Sequence, residues 1–373
     1  MTFMVNSSVY LPTHSNDTIL QQSTCLVKSN MWFIDYLRTL YIVNCVIQPI
    51  FAIVAVSTNT LVLYAIIKTP ALHKPSTVLL CNLAITDLAV GIFVQPFYVV
   101  YKIAELHKLA NISCNLGVAT NMFANLFSGV SFITVTLISL DRYLALHLHL
   151  RYPAVVTTER ILKVLIVSWA LVAFLVSFYP WKIDIAIYGG MGIVLICLIV
   201  TSYTYVKIHS VVRKHRARVH DTIPAIPSNQ SQGVQGSKTI RGLNISKYWK
   251  SVITMGYVYL FLVLCYLPYM LTLGVRVLIG LTKEYKLVLN ITTSVIYISS
   301  SINPFLYCYR LKEVRNAVMK VLRKNFVEEE VSATFNVVTT KSTLDLSSSN
   351  RARNPSESKC SQNQLNISDF HAV

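Results

Sequence analysis

Residues 131–148 read SFITVTLISLDRYLALHL. The run is apolar until two adjacent charges, Asp141 and Arg142, near its end. It belongs to an apolar segment near 115–146, and a helix needs about 20 such residues to cross the hydrocarbon core. A charged pair at membrane depth is costly, so it marks a functional position by default. This stretch predicts a membrane-spanning helix that carries chemistry at one end.

The rest of the chain agrees. Of 373 residues, 54% are hydrophobic and 13% charged, against about 25% charged in an ordinary soluble domain. Seven apolar segments lie near 41–67, 76–101, 115–146, 160–180, 185–212, 249–279 and 287–309, each long enough to span. The fourth and fifth are separated only by a few polar residues (Trp181, Lys182, Asp184). The net charge of +17 would suggest nucleic acid in a soluble protein. Here the basic residues sit between and after the apolar segments, the pattern of loops beside anionic lipid, and nucleic acid is excluded as a partner. Twenty Lys and Arg fall within 68–74, 151–163, 207–250 and 310–324, against eight within 28–38, 102–108, 182 and 276–286. The first set is therefore cytoplasmic, the N-terminus outside and the C-terminus inside. Residues 1–38 show no basic region followed by an apolar one, so no cleaved signal peptide is expected.

The predicted organisation is an all-α, seven-helix membrane bundle over 41–309, preceded by an extracellular tail, 1–40. A cytoplasmic loop at 213–246, with Pro224, Pro227 and a polar stretch, reads as flexible. Residues 310–324 place Leu311, Val314, Val318 and Leu322 on one face and basic residues on the other, an amphipathic helix on the lipid surface. The tail 325–373 is polar and Ser/Thr-rich, and reads as disordered. It is either merely solvated or a cluster of phosphorylation sites that recruits a partner by added charge. Asn6, Asn16, Asn111 and Asn290 carry glycosylation sequons in segments assigned outside.

Several motifs follow in order. Asn59 stands in the first span, Asp87 in the second and Asp141-Arg142-Tyr143 at the end of the third. Trp169 is in the fourth, Tyr205 in the fifth, Cys265-Tyr266-Leu267-Pro268 in the sixth and Asn303-Pro304-Phe305-Leu306-Tyr307 in the seventh. Together they resemble the rhodopsin-like, class A, G-protein-coupled receptors over roughly 40–325. The resemblance implies a receptor of the plasma membrane that catalyses nothing and binds an extracellular ligand. It would activate a heterotrimeric G protein when the sixth span swings outward at the Pro268 kink, and would meet an arrestin-type partner through a phosphorylated tail. Arg142 would be held at rest by Asp141 and freed in the active state, with Tyr205 and Tyr307 turning inward beside it. Asp87 needs a cation, a hydrogen-bond network or a proton. The resemblance implies a sodium ion there, with Asn59, Ser131, Ser299, Ser300 and Asn303 around it. A protonated Asp87 in a water network is the other reading. No other cofactor is expected.

The chain also departs from that family's pattern. Tyr266 replaces the usual Trp two residues before the proline, and Cys197 stands where the fifth span usually has proline. The inner end of the sixth span, 244–250, has no acid to form a second ion pair with Arg142, so basal activity is expected. The second outer loop, near 179–186, has no cysteine, and Gly117 occupies the position of the third span's usual cysteine. These outer-loop features are similar to those of the melanocortin, lysophospholipid and cannabinoid branch, but the ligand-binding residues of those receptors are not kept. Ala124 stands where amine receptors carry Asp, and Tyr297 where opsins carry Lys. The candidate pocket is Gln95, Tyr98, Thr120, Asn121, Ala124, Asn125, Tyr266, Tyr269, Arg276 and Tyr297. It is aromatic, polar and largely uncharged, and suits a peptide, a lipid or a neutral small molecule. Interfacial belting is the other reading of its tyrosines. A seven-span transporter or channel is the alternative function, but no internal repeat and no continuing polar path supports it.

Of eight cysteines, Cys25 and Cys114 are the clearly extracellular pair, where oxidation is possible. They are expected either to bond, folding the tail over the pocket, or to remain two free thiols. A mass-spectrometric map of the non-reduced protein is expected to contain the Cys25–Cys114 linkage. A complete map without it removes the pairing.

Overall fold

The computed structural model describes residues 33–221, 260–261, 263–276, 280 and 282–323. It divides into two compact units, Met1–Val318 and Met319–Val373. Within the first, α1 is Ile34–Ile67, α2 Pro75–Leu106, α3 Ala110–Leu148, α4 Thr158–Ser177, α5 Ile183–Asp221, α6 Val263–Arg276 and α7 Lys283–Arg310. A last helix begins at 312, and 312–318 belong to this unit; in the second unit, 319–323 are helical.

Five of these helices, α1 to α5, are long and apolar enough to cross a membrane. Their outward residues are apolar too: Ile53, Ile166, Val167, Ile196 and Ile199 are all exposed. That inversion is what lipid requires, because it solvates hydrocarbon and leaves backbone polar groups to be satisfied within each helix. The helix α7 is the most polar in side chains. Asn290, Thr292, Ser294, Ser299, Ser300, Ser301 and Asn303 are all buried in the bundle, where polar side chains find partners on neighbouring helices.

The helix α3 is the common neighbour, packing against α2, α4 and α5, while α7 packs against α1 and α2. Between α2, α3 and α4, the Asn82 amide donates to Thr134 Oγ1 at 2.8 Å and its Oδ1 accepts from Trp169 Nε1 at 3.0 Å. Midway along α2 the turn Val90–Val94 widens to a π-turn. Pro96 follows at once. It has no N–H for the carbonyl four residues back, so the helix widens rather than breaks.

The helix ends depart from the predicted boundaries. The first helix starts at Ile34, not 41, so 34–40 belong to the bundle rather than to the tail. Ile34, Leu37 and Tyr41 are buried at helical spacing, while Asp35 and Arg38 lower the apolar signal. The third helix starts at Ala110, five residues earlier than expected. The loop between α4 and α5 is 178–182 rather than 179–186, since Ile183 already opens α5. At the other end α5 continues to Asp221, nine residues into the segment read as a loop from 213. The remainder of that loop, the tail 1–32 and the tail 324–373 lie outside the described residues. Leu311 separates α7 from the last helix, whose Val314, Ala317 and Val318 are buried within the first unit. Lys74 and Glu313 pair at 2.8 Å across the surface there, an exposed contact of small energetic weight.

Candidate functional site

Three polar regions lie along the bundle: a cavity, a mid-membrane carboxylate and the inner end of α3.

The cavity has a volume of about 490 Å³, within the size range of small-molecule sites. Tyr98 on α2 lines it, with Thr120, Asn121, Ala124, Asn125 and Ser128 on α3, Tyr266, Tyr269 and Arg276 on α6, and Tyr285, Lys286, Asn290 and Tyr297 on α7. Nine of the ten sequence-predicted lining residues are therefore brought together. Gln95 is the exception. It is fully buried between helices, where its amide donates to Gln48 Oε1 at 3.0 Å, and Gln48 in turn reaches the Ser294 carbonyl at 3.4 Å. The tyrosines are packed inside rather than belted around the surface. Tyr98 and Tyr297 meet edge to face at 5.3 Å, and the Tyr98 hydroxyl accepts from Asn44 and donates to Asn290 Oδ1, both at 3.3 Å.

The wall is more charged than the sequence suggested. Lys102, buried on α2, pairs with Glu105 Oε2 at 2.7 Å one turn on, and both are almost inaccessible. The Lys102 ammonium lies over the rings of Tyr41 and Tyr101 at 4.3 and 4.4 Å, close enough for cation–π attraction. Glu105 Oε1 accepts from the Tyr101 hydroxyl at 3.1 Å and lies 3.4 Å from Lys286 Nζ on α7. Gly117 leaves room for this ring: a Cβ there would stand 3.1 Å from Tyr101, which would have to shift slightly. Sequence reasoning counted Lys102 and Lys286 as outer-loop charges and overlooked Glu105. The signal available was a lysine and an acid three residues apart, beside Tyr98 and Tyr101, at the end of an apolar run.

Below the cavity, Tyr266 packs edge to face on Phe132 of α3 at 4.7 Å. Phe132 carried no motif and was not predicted. Deeper still, the Asn303 amide donates to Asp87 Oδ2 at 2.9 Å, and the Ser300 hydroxyl is in hydrogen-bond reach of the same carboxylate. The Asn59 amide donates to the carbonyls of Ala55 at 2.9 Å and Ser300 at 3.3 Å. The carbonyl oxygens of both Asn59 and Asn303 are buried with no hydrogen-bond partner. Ser131 is buried on α3. Ser299 differs from expectation, since its hydroxyl donates to its own helix at the Ile296 carbonyl, 2.7 Å away.

At the inner end of α3, Asp141 Oδ2 stands 3.8 Å from Arg142 Nε, a long ion pair. The stronger contact comes from Tyr152, which donates to Asp141 Oδ1 at 2.6 Å. Burial and this carboxylate raise the Tyr152 pKa well above its ordinary value, so it remains a donor at physiological pH. Tyr152 was not singled out in the sequence. Tyr143 stacks on His147 at 5.6 Å and packs with Tyr205 against Ile208 of α5. Pro304 lies within α7 and Pro268 within α6; the side chain of Tyr307 and the whole of 244–250 lie outside the described residues.

One further expectation changes. Asn290 is not a glycosylation site in this fold: it is buried, and its amide donates to the Lys286 carbonyl at 2.7 Å. Asn111 is exposed in the first turn of α3, while Asn6 and Asn16 lie outside the described residues. Cys114 is disulfide-bonded. Cys45, Cys81, Cys197, Cys265 and Cys308 are free, and Cys25 and Cys360 lie outside the described residues.

The family model for "7 transmembrane receptor (rhodopsin family)" matches residues 58–181 and 176–307. The alpha-1A adrenergic receptor of Cavia porcellus is 25% identical over 316 residues, covering 74% of this chain and 67% of that protein. The alpha-1A adrenergic receptor of Homo sapiens is 24% identical, covering 71% of this chain and 64% of that protein. For the alpha-1D adrenergic receptor of Mus musculus the figures are 24%, 73% and 56%. The match thus spans about two thirds or less of these relatives' length.

Removing one member of a buried ion cluster strands the others. Glu105→Ala is expected to destabilise the purified protein by about 3 kcal/mol, read as a lower melting temperature in detergent. Adding Lys102→Met is expected to recover much of the loss. A single variant as stable as wild type would mean that the cluster is solvated rather than buried.

Proposed function

This chain belongs to the rhodopsin family of seven-transmembrane receptors, and from that premise we propose that it binds an extracellular, non-amine ligand and activates a heterotrimeric G protein. It is a multi-pass membrane protein of a receptor family, not an enzyme family. The observation that carries the proposal is the vertical order of the three regions. A cavity floored by Tyr266 stands over the Tyr266–Phe132 contact, the Asp87–Asn303 bond and the Asp141-Arg142-Tyr143 end of α3.

In the proposed cycle the ligand repacks the cavity floor, and α6 swings outward at its inner end below Pro268. Ligand and G protein then favour the same state by population shift. At rest Asp141 is held by Tyr152 and lies beside Arg142. Arg142 keeps its charge at any working pH, so release of the pair leaves a cation for the G protein, with Tyr143, Tyr205 and Tyr307 alongside. Orientation with the N-terminus outside places the cavity on the extracellular face and the Ser/Thr-rich tail where an arrestin-type partner reaches it.

The relatives are named adrenergic receptors. A non-amine ligand for this chain is supported by the cavity wall, where α3 contributes Thr120, Asn121, Ala124, Asn125 and Ser128 and no carboxylate.

The residues around Asp87 fit a sodium ion. A carboxylate, and the buried carbonyl oxygens of Asn59 and Asn303 that have no hydrogen-bond partner, are donors of the kind a hard cation takes. Asp87, Asn59, Asn303, Ser300 and Ser131 would hold it, and Ser299 would have to give up its own-helix bond to join them. The ion would supply a positive charge that favours the resting arrangement. We also propose that Cys114 bonds to Cys25, the remaining cysteine on the extracellular side.

Cells expressing wild type and Arg142→Ala, matched for surface level, are compared for G-protein activation without ligand across a panel of subtypes. Wild-type activity above background that vanishes with Arg142→Ala is expected. In membranes, added sodium lowers wild-type activity and leaves Asp87→Asn unchanged. A surface-expressed wild type silent with every subtype contradicts the signalling reading, and equal sodium sensitivity in both proteins contradicts the ion.

A further inference from the structure

We propose that the ligand is an amphiphile, a hydrogen-bonding headgroup joined to an aliphatic chain, and that the chain lies against α4 and α5. This rests on the receptor reading above and names the ligand's chemical class. The cavity has two unlike sides. Its tyrosines and asparagines come mostly from α2, α3, α6 and α7. On the other side, every lining residue of α4 is aliphatic. So is every one of α5, methionine and glycine included, except Asp184 at its exposed start. Leu175, Val176, Ile187, Gly190, Met191 and Val194 belong to this face.

The face borders open space rather than packed core. A Cβ at Gly190 would meet no atom within 4 Å, whereas one at the preceding Gly189 would stand 3.2 Å from Leu175 of α4. The helix α5 thus meets α4 beside the cavity without filling it. Close packing is the rule inside proteins, because unfilled contacts forfeit dispersion energy. An aliphatic wall gives water no hydrogen bond and favours an apolar guest. A peptide or another polar ligand pressed on this face would lose its own hydration without a partner in return. An alkyl chain loses nothing there and leaves water, and the flexible Met191 side chain adapts to it. The opposite side suits a headgroup. Asn121 and Asn125 each donate into their own helix, to the carbonyls of Gly117 and Asn121 at 2.7 Å. Their side-chain oxygens are then the acceptors that remain for a ligand, beside the phenols of Tyr269 and Tyr297.

The chain preference is measurable without knowing the ligand. Asn125→Cys puts a thiol on the cavity wall, one turn from Gly129, where α3 meets Val172 of α4. In the full-length protein in lipid nanodiscs, this thiol is modified with butyl, hexyl or octyl methanethiosulfonate, or with ethylene-glycol ether reagents of matching length. Mass spectrometry verifies each adduct. Trp181→Cys, exposed in the α4–α5 turn, is the control site, and the unsubstituted protein gives the background from native thiols. At 125 the melting temperature is expected to rise by about 2 °C for each two methylenes, and the ethers are expected to give no such rise. At 181 alkyl and ether adducts are expected to behave alike. Gly190→Leu, which fills the open space, is expected to abolish the alkyl gain. Ile187→Thr, which adds a hydroxyl to the face, is expected to reduce it, and keeps the test available should Gly190→Leu fail to fold. Equal shifts from alkyl and ether adducts at 125, the same alkyl gain at 181, or a gain that ignores these cavity variants would each overturn the proposal. The melting temperature does not depend on signalling. An alkyl gain in a protein that activates no G protein sinks the receptor reading and leaves the amphiphile site standing. Activation without an alkyl gain does the opposite.

Discussion

The hydrogen bond from Asn303 to Asp87, at 2.9 Å, is the interaction on which the interior is arranged. A carboxylate in mid-membrane cannot be solvated by lipid, so its neighbours must supply polar contacts. The sequence of α7 is polar for this reason: Ser300 and Asn303 reach the carboxylate, while Ser294 and Asn290 serve the outer network with Asn44 and Tyr98. A helix of that composition would be unstable facing hydrocarbon. It is buried against α1 and α2 instead. The two buried asparagine oxygens left without partners are the physical basis on which a cation is proposed for this centre.

The cavity and the inner face are linked through α3, the common neighbour of α2, α4 and α5. Its outer half contributes the cavity wall, Phe132 touches Tyr266, and Asp141 ends the same helix under the hold of Tyr152. A rigid helix that meets both ends can transmit a change at one end to the other if a neighbour has two arrangements. In the proposed cycle that neighbour is α6, whose Tyr266 lies at the cavity floor.

Helices α1 to α5 were legible in the sequence because lipid demands long apolar runs, and the motif residues were legible because charges and prolines are rare inside such runs. Helix ends were less so. Asp35 and Arg38 hid the first turns of α1, and the basic residues after 212 hid the extension of α5, because a helix leaving the membrane stops looking apolar before it stops being helical. Within the site, nine of the ten expected pocket residues lie on the cavity wall, whereas Gln95 faces Gln48 beyond the π-turn. Lys102 and Lys286 were read as outer-loop charge and Glu105 was overlooked, since spacing along a chain does not show that charges from α2 and α7 meet. Phe132 acts through packing on Tyr266, distant in sequence, and Tyr152 through one hydrogen bond that the turn after α3 brings back to Asp141.

The central claim is that α3 and the inner end of α6 separate when a G protein binds. Spin labels on exposed Leu150→Cys, just past the end of α3, and on exposed Leu260→Cys, just before α6, in a cysteine-reduced background and in lipid nanodiscs, report that separation by electron–electron double resonance. The account predicts that nucleotide-free G protein adds a longer-distance population, several ångströms beyond the resting one, and that Arg142→Ala suppresses it. An unchanged distance distribution with G protein demonstrably bound would contradict it.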